Sequence, residues 1–294
     1  MRWCIIHITM SKRYLITGCN GQLGCALRER YPDAYSVSHE SLDISNEKQV
    51  ESIDWSKYDV IINAAAYVSA DHSETPDGIE LTWQANAVGP RNLTKVAIKY
   101  GLHLVHISSE YVFDGTKANH QEDEPFTPLS VYGQTKSAGD IAVSLVPKNH
   151  ILRTSWVIGD GHNFAKTMKE LADKGINPKV VNDQYGRLTF TSEIVRAIDH
   201  IIDNKVGFGT YNLSNSGKVK SWFEIAGDVF EYAGYDRERV EPITTVEYMR
   251  GKTPFAPRPT HSDMDLSKIR RTGFVNQDYE PLLLDYVQNL PYCK

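Results

Sequence analysis

The sequence predicts an α/β protein in which a doubly wound parallel sheet precedes a smaller α/β region. The first observation is a short apolar run, residues 14–17, that leads through a glycine-rich turn into a helix-favouring segment. The second is the alternation of β-prone runs with segments of helical spacing, which continues to about residue 213. The third is a change of character after residue 221, where a helical stretch leads into a variable, proline-containing one. Such alternation is typical of a parallel sheet covered by helices on both faces.

A chain of 294 residues can bury a large core and holds one large or two modest domains. Its formal net charge of −5 gives no electrostatic footprint for nucleic acid. The ten histidines contain no HxH or HxxxH pair, so we assign none to a metal. The cysteines show no CxxC spacing and are too few for a disulfide scaffold, which predicts a reducing, cytoplasmic location. They are Cys4, Cys19, Cys25 and Cys293.

The N-terminus carries an apolar run at residues 3–9 behind Arg2. The run is too short for a signal peptide, no small-residue cleavage site follows it, and no other window reaches the length of a membrane span. Met10, which precedes a polar tripeptide and then a strong strand, is a candidate start. We therefore predict that residues 1–11 form an extension outside the fold and that the protein does not bind membranes.

The turn after the first strand has the spacing GxxGxxG, formed by Gly18, Gly21 and Gly24. This spacing differs from GxGxxG, but the physical reasons for glycine are shared. Glycines permit a tight turn and a close backbone approach, and the N-terminus of the following helix favours a pyrophosphate. A glycine turn alone is weak evidence, and its place after the first strand of an alternating chain is what predicts a dinucleotide site.

The next strands carry the second and third signals for a nucleotide. Residues 34–38 form the second predicted strand, whose tip at Ser38 and His39 offers neither an acid nor an arginine, so we expect both NADH and NADPH to be used. After a predicted helix at residues 47–53, residues 59–66 form a buried strand that ends in three alanines. Small side chains there leave room for a flat ligand, although close helix packing would use them equally well.

The segment from residue 104 to residue 136 holds the candidate reactive groups. Residues 104–108 are a predicted buried strand, and Ser109 follows at its end. Tyr132 and Lys136 stand four apart on a predicted helix from residue 130, so both project from one face. A neighbouring ammonium should lower the pKa of the phenol and make it a usable proton donor. With Ser109 holding a carbonyl oxygen, this set meets the needs of ketone reduction, although a Tyr and Lys at this spacing also occur by chance.

The remaining segments complete the predicted architecture. Residues 78–100 have helical spacing but contain Gly89-Pro90, which should kink or break the helix. The polar loop 119–128 is either a solvated connection or a cover over a ligand. Trp156 either joins the core or stacks on a substrate. The other predicted elements are a strand at 150–158, a helix at 163–174, a strand at 179–182, a helix at 192–203, a strand at 211–213 and a helix at 221–233.

Taken together, these segments resemble the extended short-chain dehydrogenase/reductases and, within them, the family of dTDP-4-dehydrorhamnose reductases. The resemblance spans about residues 12–289 and rests on the order and spacing of several motifs. They are the GxxGxxG turn, LDI at 42–44, NAAAY at 63–67, NAVGPRNL at 86–93, YVFDG at 111–115, the YxxxK pair, RTSW at 153–156, DQYG at 183–186, and Arg258-Pro259 with Ser262.

The resemblance implies a Rossmann-type NAD(P)-binding domain formed by residues 12–158 and 187–215. It implies a sugar-nucleotide-binding domain formed by residues 159–186 and 216–294, with the active site in the cleft between the two. The implied cofactor-binding residues are Gly18, Gly21, Gln22, Leu23, Gly24, Asp43, Ile44, Ala65, Ala66, Tyr67, Asn86, Tyr132 and Lys136. The implied substrate-binding residues are Ser109, Glu110, Trp156 and Arg258, and the implied catalytic residues are Ser109, Tyr132 and Lys136.

Two of these positions depart from the family pattern. Ser109 stands where the family has Thr, which keeps the hydroxyl and therefore the mechanism. Glu110 stands where the family has Asp, which adds a methylene to a carboxylate that the resemblance places near the sugar. The substrate contact at residue 110 is therefore expected to differ.

The implied reaction is hydride transfer from NADPH or NADH to the C4 ketone of a nucleotide-linked 4-keto-6-deoxyhexose, above all dTDP-4-dehydro-L-rhamnose. Tyr132 would give the proton to O4, and Lys136 would lower the pKa of Tyr132 and bind the nicotinamide ribose. One alternative is an epimerase or dehydratase of the same family. Another is a non-catalytic regulatory subunit resembling the beta subunit of methionine adenosyltransferase.

The resemblance also bears on partners and metals. A 3,5-epimerase of the same pathway is the candidate protein partner. Some family members are dimers bridged by magnesium through a glutamate two residues beyond the third glycine of the turn. That position is Ala26 in this chain and offers no oxygen ligand, so we expect no metal and either a monomer or a dimer formed through other surfaces.

Overall fold

The computed structural model describes residues 12–292, so the predicted extension at residues 1–11 lies outside the described residues. The strands are β1 (Tyr14–Thr17), β2 (Tyr35–Val37), β3 (Val60–Asn63), β4 (His103–Ser109), β5 (Asn149–Thr154), β6 (Val157–Ile158), β7 (Lys179–Val181), β8 (Tyr185–Gly186), β9 (Thr189–Phe190), β10 (Gly209–Leu213), β11 (Lys220–Ser221) and β12 (Glu241–Ile243). The α-helices are α1 (Gln22–Arg30), α2 (Glu47–Ser52), α3 (Pro76–Trp83), α4 (Gly89–Tyr100), α5 (Val131–Ser144), α6 (Phe164–Asp173), α7 (Thr191–Asp203), α8 (Trp222–Tyr232), α9 (Thr245–Met249), α10 (Ser267–Arg270) and α11 (Tyr279–Asn289).

The central sheet of residues 12–292 has six strands in the order β10-β5-β4-β3-β1-β2, and every neighbouring pair is parallel. The chain places β2 on one side of β1 and then returns to place β3 on the other side. The strand order therefore reverses between β1 and β3, and such a reversal leaves a crevice outside the carboxyl ends of the two strands. The predicted doubly wound parallel sheet is confirmed.

Alternating side chains of the central strands form two apolar layers, one on each face. On the first face Ile16 and Val105 pack with α1 and α7, and on the second face Leu15 and Leu104 pack with α4. These residues are completely or almost completely buried. Each such side chain contributes about 1.5–3 kcal/mol of transfer free energy, so the strands are fixed by contacts on both faces.

A third apolar cluster forms the core of the smaller unit. It is built mainly from α6, α8 and α11, with the short strand pairs β6/β9 and β7/β12 beside it. Helix α11, which the sequence analysis did not predict, joins this core through Tyr279, Leu283 and Val287. The predicted division into two domains remains a prediction. Two residues of the predicted second domain pack with the core of the first. Residues Leu266 and Ile269, assigned to the second domain, pack with the first cluster beside the sheet.

Two predicted elements differ from the structure in an informative way. The strand predicted at residues 150–158 is two strands, β5 and β6, because Trp156 between them has φ +46° and cannot continue an extended chain. The helix predicted at residues 78–100 does not break at Gly89-Pro90, because a π turn at Gln84–Val88 connects α3 directly to α4. Pro90 then lies in the first turn of α4, where its missing N–H does no harm.

The glycine turn provides a test of how tightly the fold is built. A Cβ at Gly24 would lie 2.1 Å from the carbonyl oxygen of Gly18, whereas a Cβ at Gly21 would be 3.5 Å from the same atom. We therefore expect Gly24→Ala to lower the free energy of unfolding of the unliganded protein by about 2 kcal/mol or more. Gly21→Ala is the matched control and should change it by less than about 1 kcal/mol. Chemical denaturation checks both, and equal effects of the two substitutions would contradict the predicted backbone contact.

Candidate active site

Two adjoining cavities occupy the crevice at the carboxyl ends of the central strands. The larger, of about 640 Å³, lies beside the ends of β1, β2 and β3. The smaller, of about 420 Å³, lies beside the ends of β3, β4 and β5. Gly21, Ala64 and Ala66 line both cavities, so the two form one continuous groove across the reversal of strand order. A groove of this shape suits an elongated dinucleotide with one end in each cavity.

The glycine turn joins the two cavities and leaves its amides available. Gly18 has φ +70°, and a Cβ on it would lie 2.6 Å from the amide nitrogen of Ala65, so only glycine lets the end of β1 approach the end of β3 so closely. Gly21 is the N-cap of α1, and no side chain caps the helix or places an acid in its first turn. Uncapped first-turn amides and the helix dipole favour an anion, and these features fit a pyrophosphate.

The larger cavity holds several of the predicted cofactor-binding residues. Asp43 and Ile44 lie in its wall, as do Ser38 and His39 from the tip of β2. The carboxylate of Asp43 accepts hydrogen bonds from both the amide and the hydroxyl of Ser45, at 2.9 and 2.7 Å. It is thereby held in a fixed orientation. The described wall of this cavity contains no arginine or lysine.

Asn86 is the one predicted cofactor-binding residue that lines neither cavity. Its Oδ1 accepts a hydrogen bond from the amide of Tyr67 at 2.8 Å, and its Nδ2 donates to the carbonyl of Tyr67 at 2.9 Å. Because both polar ends are used by the backbone, Asn86 positions Tyr67 in the cavity wall. Its assignment to the cofactor stays a prediction. The other predicted cofactor-binding residues all line the groove.

Helix α5 brings Tyr132 and Lys136 to the end of β4. The hydroxyl of Ser130 caps the helix by accepting a hydrogen bond from the amide of Gly133 at 3.2 Å. A Cβ at Gly133 would lie 2.3 Å from the carbonyl oxygen of Tyr111, so glycine is required for this close approach. The Nζ of Lys136 donates to the carbonyl of Ile107 at 2.7 Å, which ties α5 to the strand. Both predicted residues line the smaller cavity.

Ser109 and Glu110 form a buried pair opposite α5. The Oγ of Ser109 donates to Oε2 of Glu110 at 2.7 Å, and it accepts from the amide of Tyr111 at 3.2 Å. Burial raises the pKa of Glu110 to about 7, against hydrogen bonds from Ser109 and Ser262 that lower it. The side chain therefore exists in both charge states near neutral pH.

The expected lowering of the Tyr132 pKa is wrong for this structure. Burial raises the pKa of Tyr132, the negative charge of Glu110 raises it further, and a hydrogen bond with Ser109 opposes the two. Burial also lowers the pKa of Lys136 to about 8, while the charge of Asp140 acts in the opposite direction. Lys136 directs its ammonium to the carbonyl of Ile107, and desolvation is the largest influence on the pKa of Tyr132.

A buried polar network lies behind Lys136. The carboxylate of Asp140 accepts a hydrogen bond from Nε of Arg153 at 2.9 Å, and both side chains are nearly inaccessible. Oδ1 of Asn63 accepts from Thr17 and from the amide of Ala65, so its Nδ2 must donate to Nδ1 of His106. The proton of the neutral imidazole is therefore on Nε2, which faces Oδ1 of Asp140 at 4.0 Å. The sequence analysis missed this network, although Asp140 stands one helical turn after Lys136.

Trp156 and Arg258, two of the predicted substrate contacts, line the smaller cavity. The ring of Trp156 stacks on Trp222 at 3.7 Å, which connects the end of the sheet with α8 of the smaller unit. Nη2 of Arg258 donates to Asp71 at 2.7 Å, and Nη1 donates to the hydroxyl of Tyr111 at 3.3 Å. Trp156 thus contacts the smaller unit and lines the cavity, so both predicted roles for it are compatible with its position.

The polar loop at residues 119–128 is tied to the sheet. Its Glu122 carbonyl accepts a hydrogen bond from Arg153 at 3.0 Å, and the Glu122 carboxylate accepts from the amide of Asn212 at 2.9 Å. The guanidinium of Arg153 also lies 5.0 Å from the ring centroid of Phe126. None of residues 119–128 lines the described cavities.

Within residues 12–292, no group of three or more His, Cys, Asp or Glu side chains is arranged to hold a metal ion. The same residues contain no helix long and apolar enough to span a membrane. The expectation of a metal-free site stays a prediction.

Comparison with known proteins adds independent information. A family model described as the RmlD substrate binding domain matches residues 12–291. The dTDP-4-dehydrorhamnose reductase of Aggregatibacter actinomycetemcomitans is 35% identical over 92% of this chain and 97% of that protein. The dTDP-4-dehydrorhamnose reductase of Mycolicibacterium smegmatis is 34% identical over 95% of this chain and 86% of that protein. The crystal structure of dTDP-4-dehydrorhamnose reductase from Bacillus anthracis in complex with NADP has a TM-score of 0.85 at 33% identity, covering 96% of this chain and 99% of that one.

The buried network behind Lys136 predicts that replacing the Asp140 carboxylate by an amide strongly destabilises the protein. We expect Asp140→Asn to lower the free energy of unfolding by about 3 kcal/mol, because Arg153 is left buried without its counter-charge. Asp59→Asn is the matched control, since Asp59 and Arg13 form an ion pair that is about half exposed. It should cost less than about 1 kcal/mol. Chemical denaturation at neutral pH measures both, and a cost for Asp140→Asn no larger than for the control would contradict this role of the carboxylate.

Proposed function

The chain belongs to the family described as the RmlD substrate binding domain, and from this premise we propose that it is an NAD(P)H-dependent oxidoreductase of the dTDP-4-dehydrorhamnose reductase type. It reduces the C4 ketone of a nucleotide-linked 4-keto-6-deoxyhexose, converting dTDP-4-dehydro-L-rhamnose to dTDP-L-rhamnose. The observation that carries the proposal is the gathering of Ser109, Tyr132 and Lys136 on one wall of a cavity that continues into a dinucleotide-shaped groove. The two relatives named dTDP-4-dehydrorhamnose reductase align over 97% and 86% of their own length.

The residues have distinct tasks in this reaction. The bound nicotinamide cofactor supplies the hydride, and the protein supplies binding, orientation and the proton. Tyr132 gives its phenolic proton to O4 of the sugar as negative charge develops there. The hydroxyl of Ser109 holds the same oxygen, and the ammonium of Lys136 stabilises the phenolate that remains. Because the site is buried, these charge interactions are stronger than they would be in water.

The composition of the cavity favours reduction over elimination of water. Elimination of water from a sugar needs a base and an acid in addition to the tyrosine. Glu110 is the one carboxylate among the described residues that line the smaller cavity. Reduction needs a single proton donor beside the hydride source, and Tyr132 meets that need. A non-catalytic regulatory role leaves the combination of Ser109, Tyr132 and Lys136 without a purpose.

Further features belong to the same proposal. The cleft between the Rossmann-type domain and the smaller domain holds the sugar nucleotide, with Glu110, Trp156 and Arg258 as its contacts. A 3,5-epimerase supplies the substrate and is the candidate partner. The enzyme works without a divalent metal as a monomer, or as a dimer formed through surfaces away from Ala26. The free thiols of Cys19 and Cys25 support a reducing, cytoplasmic location.

The test is to mix the purified protein with NADPH or NADH and candidate 4-keto sugar nucleotides. A reductase consumes reduced cofactor and ketone in equal amounts and releases a 4-hydroxy sugar nucleotide. An epimerase or dehydratase changes the sugar with no net consumption of cofactor. A regulatory subunit changes neither, and either of the last two results would overturn the proposal.

Tyr132→Phe should lower kcat by about 10²–10⁴-fold, because it removes the proton donor. Cofactor affinity should stay within a few-fold, since only the hydroxyl is lost. Tyr211→Phe is the matched control, because Tyr211 is also buried and its hydroxyl donates to the carbonyl of Gly207 outside the site. Steady-state kinetics and cofactor titration check both variants. Near-normal turnover of Tyr132→Phe would remove the tyrosine from the mechanism.

The tip of β2 predicts weak discrimination between the two cofactors. Neither an acid for the ribose 2′-hydroxyl nor an arginine for the 2′-phosphate stands at Ser38 and His39. We therefore expect kcat/KM for NADPH and NADH to differ by less than about tenfold, since neither form gains or loses a charged contact there. A preference of a hundredfold or more for one cofactor would show that another residue reads the 2′ position.

A further inference from the structure

The hydroxyl of Ser109 has a single proton, and in the structure that proton is used by Glu110. Ser109 Oγ lies 2.7 Å from Oε2 of Glu110, accepts a hydrogen bond from the amide of Tyr111 at 3.2 Å, and also forms a hydrogen bond with the hydroxyl of Tyr132. An ionised carboxylate can only accept hydrogen bonds. While Glu110 is ionised, Ser109 therefore has no proton to offer to a substrate ketone.

Protonation of Glu110 reverses this hydrogen bond. We propose that Glu110 is a positioning residue that works in its neutral form, donating its carboxyl proton to Ser109 Oγ so that the Ser109 hydroxyl is free to hold the substrate's carbonyl oxygen. This role rests on the proposed function. The carboxyl proton of Glu110 stays on Glu110 throughout, so the proton that neutralises O4 still comes from Tyr132.

The surroundings of Glu110 favour its neutral form. Side chains from three elements face it: Tyr132 from α5, Tyr111 from its own turn, and Ser262 from the C-terminal segment. Arg258 and Lys136 line the same cavity, but the guanidinium is paired with Asp71 and the ammonium donates to Ile107. Glu110 is 4% exposed, so water does not solvate its negative charge in place of a paired cation.

The charge of Glu110 also acts on Tyr132. This charge raises the pKa of Tyr132, and only burial raises it more. It also repels the negative charge of the phenolate that forms when Tyr132 gives up its proton. Neutral Glu110 removes this repulsion at the same time as it frees Ser109. Both effects favour reduction, and both disappear as the pH rises through the pKa of Glu110, which burial sets at about 7.

The test compares the pH dependence of kcat in the wild type and in Glu110→Gln, which keeps a hydrogen-bond donor of the same length and cannot titrate. In the wild type kcat should fall about tenfold per pH unit above an apparent pKa near 7. In Glu110→Gln the fall near pH 7 should be absent, and any fall that remains should begin near pH 8, where Lys136 loses its proton. Glu110→Ala should lower kcat by about tenfold or more below pH 7, because the donor to Ser109 is gone, and it should also lack the fall near pH 7.

A second measurement separates this inference from the proposed function. In protein labelled with ¹³C at the glutamate carboxyls, the signal lost in Glu110→Gln should titrate near pH 7 in the wild type whether or not a substrate is known. Titration of that signal near the ordinary glutamate value would overturn the inference. So would a Glu110→Gln variant that keeps the fall in kcat near pH 7, or that loses activity equally at all pH values, since the carboxylate would then be the working form. Absence of reductase activity in the wild type would count against the proposed function alone.

Discussion

The ammonium group of Lys136 is buried and donates a hydrogen bond to the backbone carbonyl of Ile107 at 2.7 Å. This contact fixes helix α5 against strand β4, and the rest of the site depends on it. Close approach of the helix is possible because Gly133 and Gly139 have no side chain where the helix meets the backbone of Tyr111 and Asn86. Tyr132, one turn before Lys136, is thereby held against the end of β4. The cost of burying an ammonium is reduced by the charge of Asp140 behind it.

The parts of this arrangement that could be predicted from the sequence are local along the chain. The glycine turn, the strand that ends at Ser109 and the four-residue spacing of Tyr132 and Lys136 each follow from side-chain type and periodicity. The strand break at Trp156 could not be predicted, because a tryptophan with positive φ is set by its stacking on Trp222 and not by its neighbours in sequence. The pKa of Tyr132 was predicted in the wrong direction because spacing reveals a nearby cation but not the loss of water around the phenol.

Two further contacts join segments that are distant in sequence, and they could not be predicted. Asn86 was assigned to the cofactor because of its motif, but the fold uses both ends of its amide to hold the backbone of Tyr67, 19 residues away. Arg258 was assigned to the sugar-nucleotide substrate, and in the structure it is paired with Asp71. A phosphate that binds Arg258 must compete with the carboxylate of Asp71 for the guanidinium. Neither contact leaves a signal in a single sequence.

The central claim is that a hydride passes to C4 of the sugar while the protein supplies only the proton. The direct measurement is to supply NADPH with deuterium at the transferable position of the nicotinamide, together with dTDP-4-dehydro-L-rhamnose, and to locate the label in the product by NMR and mass spectrometry. The account predicts one deuterium bonded to C4 of the 6-deoxyhexose and none elsewhere in the sugar. Turnover of the sugar with the label retained on the cofactor, or found at another carbon, would contradict it.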